Sequence, residues 1–577
     1  MWRNTGCCGE LWVHILPERA QPWPRAHPTA GHPVAAGPGC RCGGLGGPLY
    51  WDCDGSWGHS RRTAPAEDHD EHHPRRWHSA PGQRKPAGSG LTLAGPIKGI
   101  IRAAEAAPGS AAIVVEDNTW TYSELLREVR RWAGALAMRG LGPGGIVAAT
   151  SQDQVALRLI RWAANYLGAV EALIDPHCGP ADHAARLAVV RPDLILTDAD
   201  IPALRADAVG ADGPELASMD LSTPARVLFT SGSSGAPRAV LQLAGQLDSA
   251  ARSNAVTRGM CVHDRLLCAL PPYHAAGSLF EDTIVWLGGC LLLPGPGGPG
   301  RLGAALRSGS PTVMTVVPAI LVQLEKDGDL PALGGLRLLN YAGDLLESQL
   351  LRRVLEETRG EVTRGYGLTE AGPLVSVLSA AAHRGAVLPE PAELGQPADG
   401  VEVRVDPRTS ELMVRSGHVM AGYLHDPDAT RQRLRDGWLR TGDLVELGPS
   451  GIRLVGRRSN LIRSGSEWIA LEQIERCLRS FPTVGDVVAV AVPHPQWIQR
   501  PVAYLEQTEP INSEMLWAHV AANLTRYATP DWVEVVDALP RLGSGKVDRV
   551  GLAARAATGP RSTAWHRPIT QTTPSEG

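Results

Sequence analysis

Residues Leu228 to Val240 read LFTSGSSGAPRAV, a run of hydroxyls and glycines between an apolar stretch and a proline. Thr230, Ser231, Ser233 and Ser234 supply hydroxyl donors, and Gly232 and Gly235 let a bare backbone approach a ligand closely. Arg238 adds a fixed positive charge. Backbone N–H groups and hydroxyls on such a turn suit phosphate oxygens. The P-loop ending Gly-Lys-Ser/Thr is missing, so this is a different phosphate cradle. Taken by itself, the stretch also reads as a flexible Ser/Gly linker. The preceding RVLF is expected to be a strand, with the helix-like run after Leu241 following the loop.

Other segments of interest lie before and after it along the chain. They are WTYSEL (120–125), GAVEALIDP (168–176), LPPYHAAGS (270–278), TVVPAILVQL (315–324), RGYGLTEAG (364–372), DGWLRTGDL (436–444), GRRSNLIRSGSEWIALEQIE (456–475) and LPRLGSGKVDR (539–549). With FTSGSSGAPRAV third among them, they resemble, in order and over about residues 95–555, the adenylate-forming (AMP-binding) enzymes. That family comprises acyl- and aryl-CoA ligases, the adenylation domains of peptide synthetases and the luciferases. The chain departs from the family pattern in the loop, where Ser234 replaces Thr, Arg238 replaces Lys and Ala239 replaces Gly.

The resemblance implies ATP-dependent activation of a carboxylic acid as an acyl-adenylate, release of pyrophosphate, and transfer to a thiol, with CoA first among acceptors. ATP, Mg²⁺ and CoA, or a carrier-protein phosphopantetheine, are the implied cofactors. By the same resemblance, Thr230, Ser231, Gly232, Ser233, Ser234, Gly235 and Arg238 cradle the triphosphate. Glu370 holds the metal, with Thr369 beside it on a phosphate oxygen. Tyr366 offers a flat face to adenine, and Gly343 and Asp344 of NYAGD line the adenine side. Asp443 accepts from the ribose hydroxyls, and Arg457 contacts ribose or phosphate beside the hinge. Lys546 bridges carboxylate and phosphate oxygens, Gly465 lines the thiol entry, and His274 faces the acid. Plainer readings stand beside these: a solvated acid, a core tyrosine, a turn aspartate, a surface lysine, a turn glycine and a buried histidine. Ser459 stands where the family has its Asp or Lys pivot.

The segment YHAAG carries no acid to receive an α-ammonium group, which argues against an amino-acid substrate. AAGSLF and VWLGGC are small and apolar, which suits a carbon chain or a ring. SGSEWIALEQIE with VPHPQWIQRP looks most like medium- and long-chain fatty-acyl-CoA ligases, and an aryl acid stays open. Fatty acid or secondary metabolism are the corresponding settings. Two other functions stay in view: a stand-alone enzyme loading an acyl or aryl acid onto a carrier protein, and a degenerate member that binds nucleotide or acyl ligand without turnover.

The elements that must position these residues alternate. LLREVRRWAGALAMRGL (125–141) and 154–169 have helical spacing, whereas 146–151, 170–176 and 193–198 read as short buried strands. This rhythm predicts a large α/β domain, with mixed sheets and flanking helices in the adenylate-forming fold. After Gly451 the pattern changes to a helix from about Ala470 to Ser480 and a strand over 486–493, predicting a small mobile α+β domain. The expected divisions are a disordered extension over 1–90, the AMP-binding domain over 91–455, the mobile domain over 456–560 and a flexible tail over 561–577.

Formal net charge is −4, from 56 basic and 60 acidic residues, with no electrostatic footprint for nucleic acid or an anionic membrane. No apolar run reaches the roughly 20 residues that span a bilayer, and the short LWVHIL patch is no signal-peptide core. The cytoplasm is the default compartment, and a monomer or homodimer the expected state. Cys7, Cys8, Cys40, Cys42 and Cys53 show no ligand spacing, and HDEHH (69–73) reads as a solvated polar run. Cys178, Cys261, Cys268, Cys290 and Cys477 read as buried free thiols.

Overall fold

The structure is a computed structural model that describes residues 93–567, apart from 117, 212, 232–236, 296–299, 344–345, 386, 391, 465–466, 495–496 and 542–546. The side chains of Ser231, Gly300, Ser459, Glu467 and Trp468 are likewise outside the description. The N-terminal extension, its five cysteines and HDEHH therefore lie outside the described residues.

Local signals set the helices. Thr121 and Glu124 close a reciprocal capping box, so the helix Tyr122–Met138 starts three residues before its apolar run. Asp153 caps Gln154–Tyr166 by accepting from Val155 N–H and Ala156 N–H. The strands Ile146–Ala149, Val170–Leu173 and Leu194–Leu196 fall where expected, each shorter than its apolar run.

Two sheets build the large lobe. In one, Leu194–Leu196, Ile146–Ala149, Val170–Leu173 and Pro224–Ser231 run parallel, and Pro237–Leu243 and Gly422–Tyr423 close the edge antiparallel. In the other, Glu361–Tyr366, Leu338–Ala342, Val313–Val316, Arg265–Cys268, Cys290–Leu293 and Ala111–Val115 are parallel neighbours, flanked by antiparallel strands. Helices Gln154–Tyr166, Ala244–Arg258 and Ala275–Leu287 share one apolar core with both sheets, through residues such as Trp162, Leu247, Phe280, Val147 and Leu338.

A buried ionic lattice ties this core to the strand that leads into the Ser/Gly loop. Arg226 on Pro224–Ser231 bonds Glu171 and, through Nη1 at 2.6 Å and Nη2 at 3.0 Å, Asp282. Arg161 reaches Glu281 at 3.1 Å, and Arg158 pairs with the same carboxylate. Three cations meet three acids, which is how charges this deeply buried are tolerated.

One expectation is corrected here. The loop does not pass from strand directly into helix. Pro237–Leu243 returns antiparallel beside Pro224–Ser231, with Thr230 opposite Arg238 and Ser231 opposite Pro237, and the helix begins only at Ala244. The segment AVLQL is apolar enough to pair as a strand, and its backbone groups are satisfied there.

The small lobe has its own sheet and cores. Val484–His494 pairs with Ile498–Gln507, flanked by Leu461–Ser464, Glu467–Ala470 and Trp532–Val535, under helix Leu471–Arg479. The chain past 560, expected as a loose tail, adds the short strand Trp565–His566 to Trp532–Val535, and Arg567 N–H donates to Asp531 O. Residues 568–577 lie outside the described residues. Of the five later cysteines, Cys268, Cys290 and Cys477 are buried thiols as expected, whereas Cys178 is half-buried and Cys261 exposed. Among the described residues no helix is long and apolar enough to cross a membrane.

Candidate active site

Two clusters form where strand ends meet. The first is built on Tyr366, the last residue of Glu361–Tyr366. Its hydroxyl donates to Asp443 Oδ2 at 2.5 Å, and Arg457 Nε donates to Asp443 Oδ1 at 2.9 Å. Asp443 and Arg457 face each other across the antiparallel pair Trp438–Gly448 and Gly451–Arg457. Asp443 is buried, whereas the Arg457 side chain is about half exposed. Burial, reinforced by the Asp443 charge, pushes the Tyr366 phenol well above its usual range. The neighbouring carboxylate of Asp443 raises Arg457 further.

The second cluster centres on Glu370, in the 3₁₀ turn Thr369–Ala371 that follows Tyr366. Tyr423 donates its hydroxyl to Glu370 Oε1 at 2.8 Å, and the Arg238 guanidinium lies over the Tyr423 ring at 5.3 Å. Burial, then the Glu370 charge, raises the Tyr423 phenol to about 12. The antiparallel pair Tyr423 and Val240 brings these groups together, so the returning strand of the hairpin links Glu370 to the Ser/Gly loop. Gly372 closes the turn at φ 65°, and a Cβ there would stand 2.3 Å from His418 O. Glu370 is a buried oxygen donor of the hard type that divalent magnesium takes, so the residues present fit that ion with bound triphosphate.

The other expected residues divide. Thr230 is the penultimate residue of the strand entering the loop, half-buried. Gly343 lies just past Leu338–Ala342 at φ 93°, with Val317 Cγ1 3.5 Å from its ideal Cβ position. His274 is exposed, not buried, and caps helix Ala275–Leu287, its carbonyl accepting from Ser278 N–H at 2.9 Å. Its ring meets Tyr273 edge-on at 4.8 Å. Gly232, Ser233, Ser234, Gly235, Asp344, Gly465 and Lys546 lie outside the described residues, as does the Ser231 side chain. Arg541 and Val547, flanking the Lys546 loop, form an antiparallel bridge.

The sequence reading missed Tyr423, which sits in an unremarked GYLHD run and becomes visible only by its bond to Glu370. It also missed Glu281 and Asp282, whose signal was available: two adjacent acids inside an otherwise apolar helix.

The two lobes meet along Gly451–Arg457. Arg476 Nη2 donates to Val455 O at 3.2 Å, and Asn460 Nδ2 donates to Glu472 Oε1 at 2.5 Å. A Cβ on Gly456 would stand 2.9 Å from Ala470 Cβ and 3.0 Å from Glu472 Oε2.

A large α/β lobe and a small α+β lobe, joined beside a buried carboxylate and fed by a hydroxyl-rich hairpin, define an adenylate-forming type of enzyme. The chain belongs to the AMP-binding enzyme family, whose model matches residues 100–424, and the AMP-binding enzyme C-terminal domain matches residues 473–546. It is 29% identical over 481 residues to a feruloyl-CoA synthase from Amycolatopsis, covering 78% of this chain and 96% of that protein. It is 27% identical over 471 residues to the 2-succinylbenzoate–CoA ligase of Bacillus licheniformis, covering 77% and 97%. Among solved structures, the o-succinylbenzoate CoA synthetase of Bacillus subtilis with its acyl-adenylate intermediate superposes with a TM-score of 0.70 at 25% identity, covering 79% and 97%. That synthetase is also known with ATP and magnesium ion.

Proposed function

We propose that this chain is an AMP-forming acid–thiol ligase whose first substrate is an aryl acid and whose acceptor is CoA. A carboxylate oxygen attacks the α-phosphorus of ATP, the α–β phosphoanhydride breaks, and pyrophosphate leaves. The sulfur of the thiol then attacks the acyl carbon, and AMP leaves. Both named relatives are ligases for aromatic acids, which favours an aryl substrate over the fatty-acyl one that the C-terminal motifs suggest.

The observation that carries this reading is the carboxylate of Asp443, buried and oriented by Tyr366 and Arg457. Two carboxylate oxygens offer about four acceptor sites, and these two donors leave room for both ribose hydroxyls. Tyr366 then presents its ring to adenine beside Gly343 and Asp344. Thr230 to Gly235 and Arg238 receive the phosphates, Thr369 adds a hydroxyl, and Glu370 holds Mg²⁺, which offsets phosphate charge when bound. Lys546 meets the charge that develops between acid and α-phosphate, His274 stands on the acid side, and Gly465 lets the thiol approach. We place the boundary between the lobes at Arg457–Leu461, where the cores change over, and let the small lobe turn there between the two half-reactions.

Pyrophosphate release over a panel of aryl and aliphatic acids tests the first step. Mass spectrometry of products with CoA and with a phosphopantetheinylated carrier protein tests the acceptor. Lys546→Ala should lower adenylate formation by at least 100-fold at an unchanged melting temperature. Full activity in that variant refutes the role of Lys546, and no pyrophosphate from any acid refutes the catalytic reading.

A further inference from the structure

We propose that Asp175 and Tyr273 are positioning residues for the acid: Asp175 fixes the Tyr273 ring, and that ring sets the pose of His274. The inference rests on the acid-side role given to His274 above and adds what holds the imidazole there. Asp175 belongs to GAVEALIDP and Tyr273 to LPPYHAAGS, two distant runs whose spacing does not say that they meet.

Asp175 follows the strand Val170–Leu173, and Tyr273 follows Arg265–Cys268. Each therefore lies past the carboxyl end of a parallel strand, one in each sheet of the large lobe. Ligands of open α/β sheets bind in that region. The Tyr273 hydroxyl donates to the Asp175 carboxylate, so one hydrogen bond ties the two sheets at their binding ends. The tie is held firmly on both sides. Asp175 Oδ1 accepts from His177 N–H at 2.9 Å, and His177 Nδ1 stands 3.2 Å from the same oxygen. Asp175 O accepts from Cys178 N–H at 3.2 Å, which closes the turn. Tyr273 is buried in the core that both sheets share. Burial, then the Asp175 charge, pushes its phenol far above the usual range, so it stays a donor at every working pH.

His274 is held in another way. Its N–H donates to Pro271 O at 3.1 Å, and its carbonyl accepts from Ser278 N–H. A Cβ on Gly277 would lie 2.3 Å from Pro271 O, so the turn and the helix it opens pack backbone to backbone. That fixes the His274 backbone but not the two side-chain torsions of an exposed ring. The Tyr273 ring acts on those torsions, meeting the imidazole edge-on at 4.8 Å with the planes 63° apart. Such pairs attract because the rim of one ring is positive and the face of the other negative. A Tyr273 ring free to turn would release the imidazole, and Asp175 prevents this by holding the hydroxyl.

Pyrophosphate release with benzoate, cinnamate and hexanoate tests this, with KM read separately for acid and for ATP. Tyr273→Phe keeps the ring and removes the tie. It should raise KM for the best of these acids about 2- to 10-fold, with KM for ATP and the melting temperature unchanged. Asp175→Ala should do the same, whereas Asp175→Asn, which keeps an oxygen to accept from Tyr273, should stay within about 2-fold of the wild type. In a His274→Ala background, Tyr273→Phe and Asp175→Ala should have no further effect, because they act through the imidazole. Effects that multiply with His274→Ala, or an acid KM indifferent to Tyr273→Phe and Asp175→Ala, overturn this inference and leave acid activation standing. A KM for ATP that rises in step with that for the acid marks a general loosening of the lobe, and also overturns it. An acid KM unchanged by His274→Ala removes the role of His274 and this inference with it. No pyrophosphate from any acid removes acid activation as well.

Discussion

Asp443 is held by two donors of different character, a half-buried neutral phenol and a half-exposed guanidinium. Because burial keeps Tyr366 protonated far above neutrality, it remains a donor over the whole working pH range. Asp443→Asn keeps one acceptor oxygen but turns an N–H towards Arg457 or Tyr366. It should raise KM for ATP by about 10-fold or more, since hydrogen bonds to charged groups contribute about 1.5–3 kcal/mol. Steady-state kinetics at saturating acid measure this, and an unchanged KM removes Asp443 from the nucleotide site. Tyr423 acts one step further out, by orienting Glu370. Tyr423→Phe should raise the Mg²⁺ concentration for half-maximal activity about 2- to 10-fold, the loss of one hydrogen bond of about 0.5–1.5 kcal/mol. A metal titration checks it; a fall in kcat at an unaltered Mg²⁺ midpoint would point to a role elsewhere.

At the scale of elements, the hairpin Pro224–Ser231 and Pro237–Leu243 does what a strand-to-helix turn would not. It puts Arg238 on a strand whose edge partner carries Tyr423, and so couples the loop to Glu370. Gly456 is the corresponding device at the junction of lobes, where Ala470 and Glu472 come too close for a side chain. Gly456→Val overpacks that contact and should cost about 1–3 kcal/mol in stability. It should also shift the ratio of adenylate-forming to thioester-forming rates at least 5-fold, because it disfavours one arrangement of the lobes. Single-turnover measurements of the two steps give the ratio, and an unmoved ratio would show that the junction does not gate the reaction.

For the whole molecule, the titratable core predicts an acid limit. Burial lowers the pKa of His418 from the usual 6.5, and burial likewise lowers His383. His418 donates Nε2–H to Leu374 O, and its own carbonyl abuts Gly372 beside Glu370. The unfolded chain therefore binds protons more readily than the folded one below about pH 6.5, and stability falls as pH drops through that value. Above it both states hold neutral histidine and the effect vanishes. Melting temperatures measured from pH 8 to pH 5 should decline most below 6.5, and His418→Gln should flatten the decline. A decline of equal slope in that variant assigns the acid limit to other groups.

The class of chemistry was legible in the chain alone, because the family's motifs sit in short contiguous runs such as FTSGSSGAPR and RTGDL, whose meaning survives without the fold. The alternation of helices and strands was legible there too, since apolar spacing and caps such as Thr121 and Asp153 are local. Element ends were less legible, as the helix at Tyr122 shows. Only the tertiary structure decided which residues from distant segments meet. Tyr366 and Asp443 are 77 residues apart, Tyr423 and Glu370 are 53 apart, and Arg258 and Asn340 are 82 apart. Nor does any single run reveal that Arg226 has acid partners in the core while Arg258 has none among the described residues. A charge's partners, and so its chemistry, depend on burial and three-dimensional distance, and neither is a property of a residue's neighbours along the chain.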